Sequence, residues 1–329
     1  MSASISTSAP TEGKIKTRFL VLSDTHALDH RQLPGTVLHR YAGVVLHCGD
    51  LTNDSTIEEY ESSIRLLQAL NAPLKLVIAG NHDFTLDGPV FSKRLAETRP
   101  RLDDKLVKKI YGSFGDVKRL FKQAGITFLD EGNHSIKLQN GASLNIYASP
   151  YTPSCYRGWG FQYHPNFVHK FLCTSARTRT EESSAQKIDI IMTHGPPQGI
   201  LDKTDSGVRG CPYLFKATAR ARPLMHCFGH IHEGWGAKLV TWRQPISTEP
   251  SHLTDIIKKK SLLIEDLSTI KEERSLGISR KYCTTSHSSS DLLPLSRGAQ
   301  TLFVNAAFKG TSGSRIQPPW FVDLDLSPA

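Results

Sequence analysis

LMHCFGHIHEG, residues 224–234, places two imidazoles, His230 and His232, directly after an apolar run. Leu224 to Phe228 reads as a strand buried on both faces, the pattern of a parallel sheet. In the extended chain beyond it, side chains separated by one residue point to the same side. A core strand that ends in a pair of like-facing polar rings predicts that chemistry sits at the carboxyl end of a sheet.

The same design recurs along the chain. FLVLSDTH (19–26), GVVLHCGD (43–50), LKLVIAGNHD (74–83), ITFLDEG (126–132), SLNIYASP (143–150) and IDIIMTHGPP (188–197) are short apolar runs, most of which end in polar residues or glycine. TLFVNAAF (301–308) and WFVDLDL (320–326) complete the set. Helical periodicity appears between some of them. In STIEEYESSIRLLQAL, Ile57, Tyr60, Ile64 and Leu67 repeat at three- and four-residue steps, and Thr56 with Glu59 forms a capping-box pattern. FGDVKRLFKQAG puts Val117, Leu120, Phe121 and Ala124 on one face, with Gly125 as a stop. Strand alternating with helix predicts an α/β domain with parallel strands, and the helix-poor second half predicts some mixed pairing. Residues 1–16 read as a disordered tail and 17–329 as a single domain. Within it, 241–299 reads as a low-complexity insertion with no strong strand. There TDIIKKKSLLIEDLSTIKEE is a candidate helix, and SRKYCTTSHSSSD a loop.

Composition narrows the class. An apolar fraction of 39% and a charged fraction of 22% are those of a globular chain. No segment approaches the roughly 20 apolar residues of a membrane span. The small, polar start MSASISTSAPTEGKIKTR lacks a secretory apolar stretch, so the cytosol is the expected compartment and no membrane partner is expected. Six cysteines with no C-x-x-C spacing argue against a disulfide framework or a zinc knuckle. The net charge of +9 suits anionic ligands, and a solvated basic face is preferred to a nucleic-acid surface.

The strand ends carry the chemistry. Asp24 and His26 follow the first run, Asp50 the second, Asn81 and His82 the third, His194 the sixth, and His230 with His232 the seventh. Ligands in open α/β sheets bind beyond these ends. Several histidines gathered together repel when protonated and are costly to bury. A divalent cation resolves both difficulties, since neutral imidazole and carboxylate are its ligands. The mixture with an amide oxygen suits Mn, Fe, Zn, Co or Ni rather than calcium. Seven donors exceed one tetrahedral site, and two ions sharing a bridging carboxylate fit the number better.

D-T-H, G-D, G-N-H-D, T-H-G-P-P and G-H-I-H, in this order, resemble the calcineurin-like metallophosphoesterase superfamily. FGHIHEGWG, PYTP, NAAF and QPPWFVDLDL are similar to its fungal and animal branch of metallophosphoesterase-domain-containing proteins. The resemblance implies an αββα four-layer sandwich with two central mixed sheets. It implies that Asp24, His26 and His232 hold a first ion, that Asp50 bridges, and that Asn81, His194 and His230 complete a second site. It makes His82 the catalytic histidine, and Mn, Fe or Zn the expected metals.

The implied activity is hydrolysis of small phosphodiesters, cyclic nucleotides among them. Arg157, Trp159 and Arg209 are the candidate substrate contacts, with Lys203 and Tyr163 nearby in sequence. The arginines would meet phosphate oxygens and the indole would stack on a base. Serine/threonine protein phosphatases carry Asp-Arg after the G-D motif and Glu after G-N-H. Here Asn53, Asp54 and Asp83 stand instead, which argues against that reading. No DNA-binding or partner-docking segment of a repair nuclease is evident. The alternative from another class is a weakly active, metal-binding regulatory or scaffold protein.

Overall fold

In the computed structural model, which describes residues 13–154, 158–173, 187–310 and 316–329, the β-branched and aliphatic runs pair into two mixed sheets. The first sheet holds, in spatial order, Cys283–Ser286, Trp320–Leu326, Ile15–Leu22, Val44–His47, Leu74–Val77 and Thr127–Phe128. Its last four strands are parallel, and Trp320–Leu326 runs antiparallel to Ile15–Leu22. The second sheet holds Leu262–Asp266, Gly236–Thr241, Gln300–Asn305, Met225–Phe228, Ile190–Thr193, Ser143–Ser149 and Gly132–Lys137. Its central four strands are parallel, and both flanks are antiparallel.

Alternation along each strand divides the apolar residues between layers. Phe19, Val21, Val44 and Leu46 meet Ile146, Ile190, Met192 and Val304 between the sheets. Leu20, Leu22, Val45 and Val77 turn the other way, onto Tyr60, Ile64 and Leu67 of the helix Ile57–Ala69 and Phe121 of Asp116–Gln123. On the far side, the helix Pro212–Ala221 lays Leu214 against Tyr147 and Ile191, and Phe215 against Phe228 and Phe303. The result is helix, sheet, sheet, helix. Cys48 and Cys227 lie in the inter-sheet core. Thr56 accepts from the Glu59 amide and the Glu59 carboxylate accepts from the Thr56 amide, a reciprocal cap whose loss costs about 1 kcal/mol.

Two expectations need correction. The strand Ile15–Leu22 begins inside the stretch read as tail, because Ile15 and Lys16 pair with Leu326 and Asp325; residues 1–12 lie outside the described ones. The stretch 241–299 is not strand-free. Leu262–Asp266 caps one edge of the second sheet and Cys283–Ser286 one edge of the first. Neither has a two-sided apolar signature, since an edge strand needs only one paired side and one buried face. Leu262 and Leu263 are exposed, and in CTTS only Cys283 and Thr285 face inward. The candidate helix there shrinks to Leu267–Ser275. Among the described residues no helix is long and apolar enough to cross a membrane.

Candidate metal centre

Parallel pairing sets the ends of neighbouring strands side by side. The Asp24 amide donates to Gly49 O (2.9 Å), the His26 amide to Asp50 O (3.1 Å) and the Gly229 amide to His194 O (2.9 Å). To turn inward, Asp24, His26, Asp50 and His230 adopt positive φ of 54°, 48°, 52° and 66°. Such left-handed residues cost roughly 1–2 kcal/mol each and persist where surrounding structure over-determines them. Two glycines make room. A Cβ on Gly80 would stand 2.2 Å from Asp50 Oδ1, and one on Gly229 would stand 2.0 Å from Asp24 Oδ2.

All seven expected ligands and His82 come together. Three groups have donor atoms lying within 4.8 Å of one another: Asp24, His26 and His232; His26, Asp50 and His82; and Asp50, His194 and His230. Asp50 stands between them, with Oδ2 3.8 Å from His26 Nε2 and Oδ1 3.4 Å from His194 Nε2. Asn81 Oδ1 lies 3.0 Å from His194 Nε2, and Asp24 Oδ1 lies 3.3 Å from His232 Nε2. His82 is within reach of the middle group, so distance alone does not separate a ligand role from a proton-transfer role for it.

Second partners orient the rings. His26 Nδ1 meets Thr52 O at 3.1 Å, His82 Nδ1 meets Asn53 O at 2.7 Å, and His194 Nδ1 meets Cys48 O at 2.9 Å. A carbonyl only accepts, so each Nδ1 carries the hydrogen and Nε2 is left toward the cluster. His26 Nε2 is buried with no hydrogen-bond partner among the described residues. A buried lone pair without a donor, framed by carboxylate, amide and imidazole, fits a borderline divalent cation.

The electrostatics agree. Burial opposes charge on Asp24 and Asp50, yet His232 beside the first and His194 beside the second hold both below the usual carboxylate range. Burial likewise opposes charge on His194, and Asp50 overrides it, holding the ring up at about 9. His232 is raised in the same way by Asp24. Burial pushes His26 down, and His230 down to about 4. Neutral His26 and His230 are ready ligands, while His194 supplies countercharge to Asp50 when no cation is bound.

The substrate-contact expectations divide. Trp159 is half-buried with its ring 4.2 Å from that of His82. Arg94 lies over Phe84 (3.8 Å) and Trp159 (5.5 Å) and donates to Gly158 O, fixing that turn. Arg209 is exposed, donates to Ser206 Oγ (2.8 Å), and shares with Trp159 and Tyr163 a cavity of about 730 Å³ that reaches Asn81 and His230. Lys203 lines a neighbouring cavity beside Glu233 instead. Arg157 lies outside the described residues.

Sequence reasoning missed the supports. Asp83 accepts from the amides of Leu51 (3.1 Å), Thr52 (3.0 Å) and Gly80 (2.8 Å), tying the second and third strand ends together. Lys309, beyond NAAF, donates from its amide to Asp24 O (3.2 Å) and from Nζ to Asn53 Oδ1 (3.2 Å). G-N-H-D held a signal for Asp83. A lone lysine outside any strand-end motif gave none.

The model of the calcineurin-like phosphoesterase family matches residues 17–234. A protein of Emericella nidulans named probable rhamnogalacturonate lyase C is 31% identical over 227 residues, 68% of this chain and 18% of its own length. Metallophosphoesterase domain-containing protein 1 of human and mouse is 31% identical over 228 residues, 67% of this chain and 62% of its own. The chain thus spans less than two thirds of either relative. A solved phosphopantetheinyl hydrolase of Mycobacterium tuberculosis overlaps 69% of this chain and 85% of its own, at 13% identity and a TM-score of 0.36.

Proposed function

Since the chain belongs to the calcineurin-like phosphoesterase family, we propose that it is a phosphodiesterase acting on small phosphodiesters, cyclic nucleotides among them, with two divalent cations. Phosphoester hydrolysis in general goes with the family; the diester preference, the pair of ions and their identity as Mn, Fe or Zn are our reading. The observation that carries it is Asp50, whose two oxygens face opposite donor sets, His26 on one side and His194 on the other.

Asp24, His26 and His232 would hold one ion and Asn81, His194 and His230 the other, with Asp50 shared. Bound there, the ions supply Lewis acidity toward the phosphoryl oxygens and toward a nucleophilic water. The chain's own groups do the rest. The Asn53 carbonyl fixes the His82 tautomer, so Nε2 is the atom that exchanges a proton with the leaving oxygen. The Trp159 ring, packed on His82, shields one side of that imidazole from water. Asp83 ties the Asp50 and His82 loops together and so keeps the donor spacing.

The test is turnover of an activated aryl phosphodiester by Mn-loaded protein, with and without chelator. Chelation should abolish turnover, and His82→Ala should lower it roughly 10²–10⁴-fold with metal content unchanged. Stoichiometric metal binding with no turnover would favour a regulatory protein instead.

A further inference from the structure

Lys309 places a fixed positive charge beside a donor set that itself fits cations. Its backbone is held on both sides. The Phe308 amide donates to Ser23 O (2.8 Å), the Lys309 amide to Asp24 O (3.2 Å), and Lys309 forms an antiparallel bridge with Ile316. The side chain is half-buried, and its Nζ donates to Asn53 Oδ1 (3.2 Å). Asn53 is fixed in turn, donating from Nδ2 to His26 O (3.0 Å) and accepting at its carbonyl from His82 Nδ1 (2.7 Å). One asparagine thus ties the ammonium to a candidate ligand and to the candidate catalytic imidazole.

That partner is neutral. Among the described residues Lys309 forms no ion pair, and of the three donors on its ammonium one is bonded. The two carboxylates of the centre are engaged with other groups. Asp24 faces His232 Nε2 (3.3 Å) and accepts from the His230 amide (3.0 Å). Asp50 faces His194 Nε2 (3.4 Å) and accepts from the His82 amide (2.8 Å). Burial first, then the neighbouring His82 and Lys309, disfavour a proton on His26, so the ammonium is within electrostatic reach of the first donor set. A half-buried cation without a counterion is unfavourable, and beside bound cations it is more so. An anion arriving at the centre relieves both. The arginines near the site are occupied elsewhere, Arg94 with Gly158 O and Arg209 with Ser206 Oγ (2.8 Å).

We propose that Lys309 is a substrate-binding residue: its ammonium, propped on Asn53, donates to an anionic oxygen of the phosphoryl group at the metal centre. This rests on the phosphoesterase reading for the identity of the ester, and on the geometry alone for the anion contact. The contact also bears on which ester is preferred. A phosphodiester has two non-bridging oxygens sharing one negative charge, whereas a monoester at about pH 8 has three sharing two. The ammonium therefore strengthens the binding of monoesters and of inorganic phosphate more than that of diesters.

The experiment compares Mn-loaded wild type with Lys309→Gln and Lys309→Met. Glutamine keeps an N–H for Asn53 and removes the charge, while methionine removes both. Elemental analysis should give the wild-type metal content in each. Calorimetry with inorganic phosphate at about pH 8 should show about tenfold weaker binding in both variants. In both, kcat/KM should fall about tenfold for bis-para-nitrophenyl phosphate and further for para-nitrophenyl phosphate. Wild-type phosphate affinity in the glutamine variant overturns the proposal, whatever methionine does, because Lys309 then only props Asn53. Loss of metal from the glutamine variant, or no phosphate binding by loaded wild type, overturns it as well. Weakened phosphate binding in both variants, with no turnover of either ester even by wild type, would sink the phosphoesterase reading and leave the anion contact standing.

Discussion

Asp50→Asn tests the arrangement at its centre. The carboxylate is 2% exposed, accepts from the His82 amide (2.8 Å) and faces His194 Nε2 at 3.4 Å. Asparagine keeps the Oδ1 acceptor for that amide and removes only the charge, so the loop geometry should survive. At 3.4 Å and an effective dielectric of about 20, the lost attraction to the His194 imidazolium is about 5 kcal/mol. His194 escapes part of this by giving up its proton. Its charge is opposed by burial and sustained by Asp50 up to about 9, so at neutral pH the loss in the metal-free protein stops near two pKa units, about 3 kcal/mol. Urea unfolding of the chelated protein reads that figure. Elemental analysis of the reloaded, gel-filtered variant reads the second effect: both ions should be lost together, because both donor sets lean on one carboxylate. A variant that keeps two ions per chain, or keeps His194 charged at neutral pH by nuclear magnetic resonance, would refute the shared-ligand arrangement.

Metal binding should release protons, because Asp24 and Asp50 keep His232 and His194 protonated above the usual imidazole range while ligation requires neutral rings. Calorimetry at neutral pH in buffers of different ionisation enthalpy should show release of at least one proton, and buffer-independent heats would contradict it. His226, fully buried between the hydroxyls of Thr193 (2.9 Å) and Thr218 (3.2 Å), is pushed by burial down to about 3, below its unfolded value of about 6.5. Between those values only the unfolded chain takes up the proton. Stability therefore falls as pH drops below about 6.5, by about 1.4 kcal/mol per pH unit, and the fall ends near pH 3. Urea midpoints at two pH values should show His226→Gln losing less than wild type by that slope, and parallel slopes would be the contrary result.

How far the residues announce the fold depends on where each strand sits. Ile190–Thr193 and Val44–His47 are covered on both faces, so every residue must be apolar or paired, and such runs stand out in a sequence. Gly132–Lys137 alternates half-buried with exposed residues at a sheet edge, and GNHSIK reads as a polar turn until its partner Ser143–Ser149 is seen. Cys283–Ser286 is ordered by pairing with Trp320–Leu326, a contact that spans more than thirty residues and leaves no local mark. Short-range pattern therefore delivers the inner strands, and long-range pairing supplies the edges.

The candidate site was legible for a related reason. Asp24, Asp50, Asn81, His194, His230 and His232 each follow a strand whose direction is set by parallel pairing, so the place of the motif along the chain already fixes the side of the sheet it occupies. What the pattern could not contain is the manner in which the two sheets meet. His194, from the second sheet, reaches Cys48 O of the first at 2.9 Å, and the strand Gln300–Asn305 continues across to pair Ala307 with Ser23. That crossing puts Lys309 against Asp24 and Asn53, and brings the candidate donor atoms of each group within 4.8 Å of one another. The wall of the neighbouring cavity is equally invisible, because Gln162 and Tyr163 reach it through a two-residue parallel pairing that no periodicity signals. The candidate ligands are thus written in strand-end motifs. The cavity beside them arises only where loops from separate strands close on one another, and there a sequence alone has nothing periodic to read.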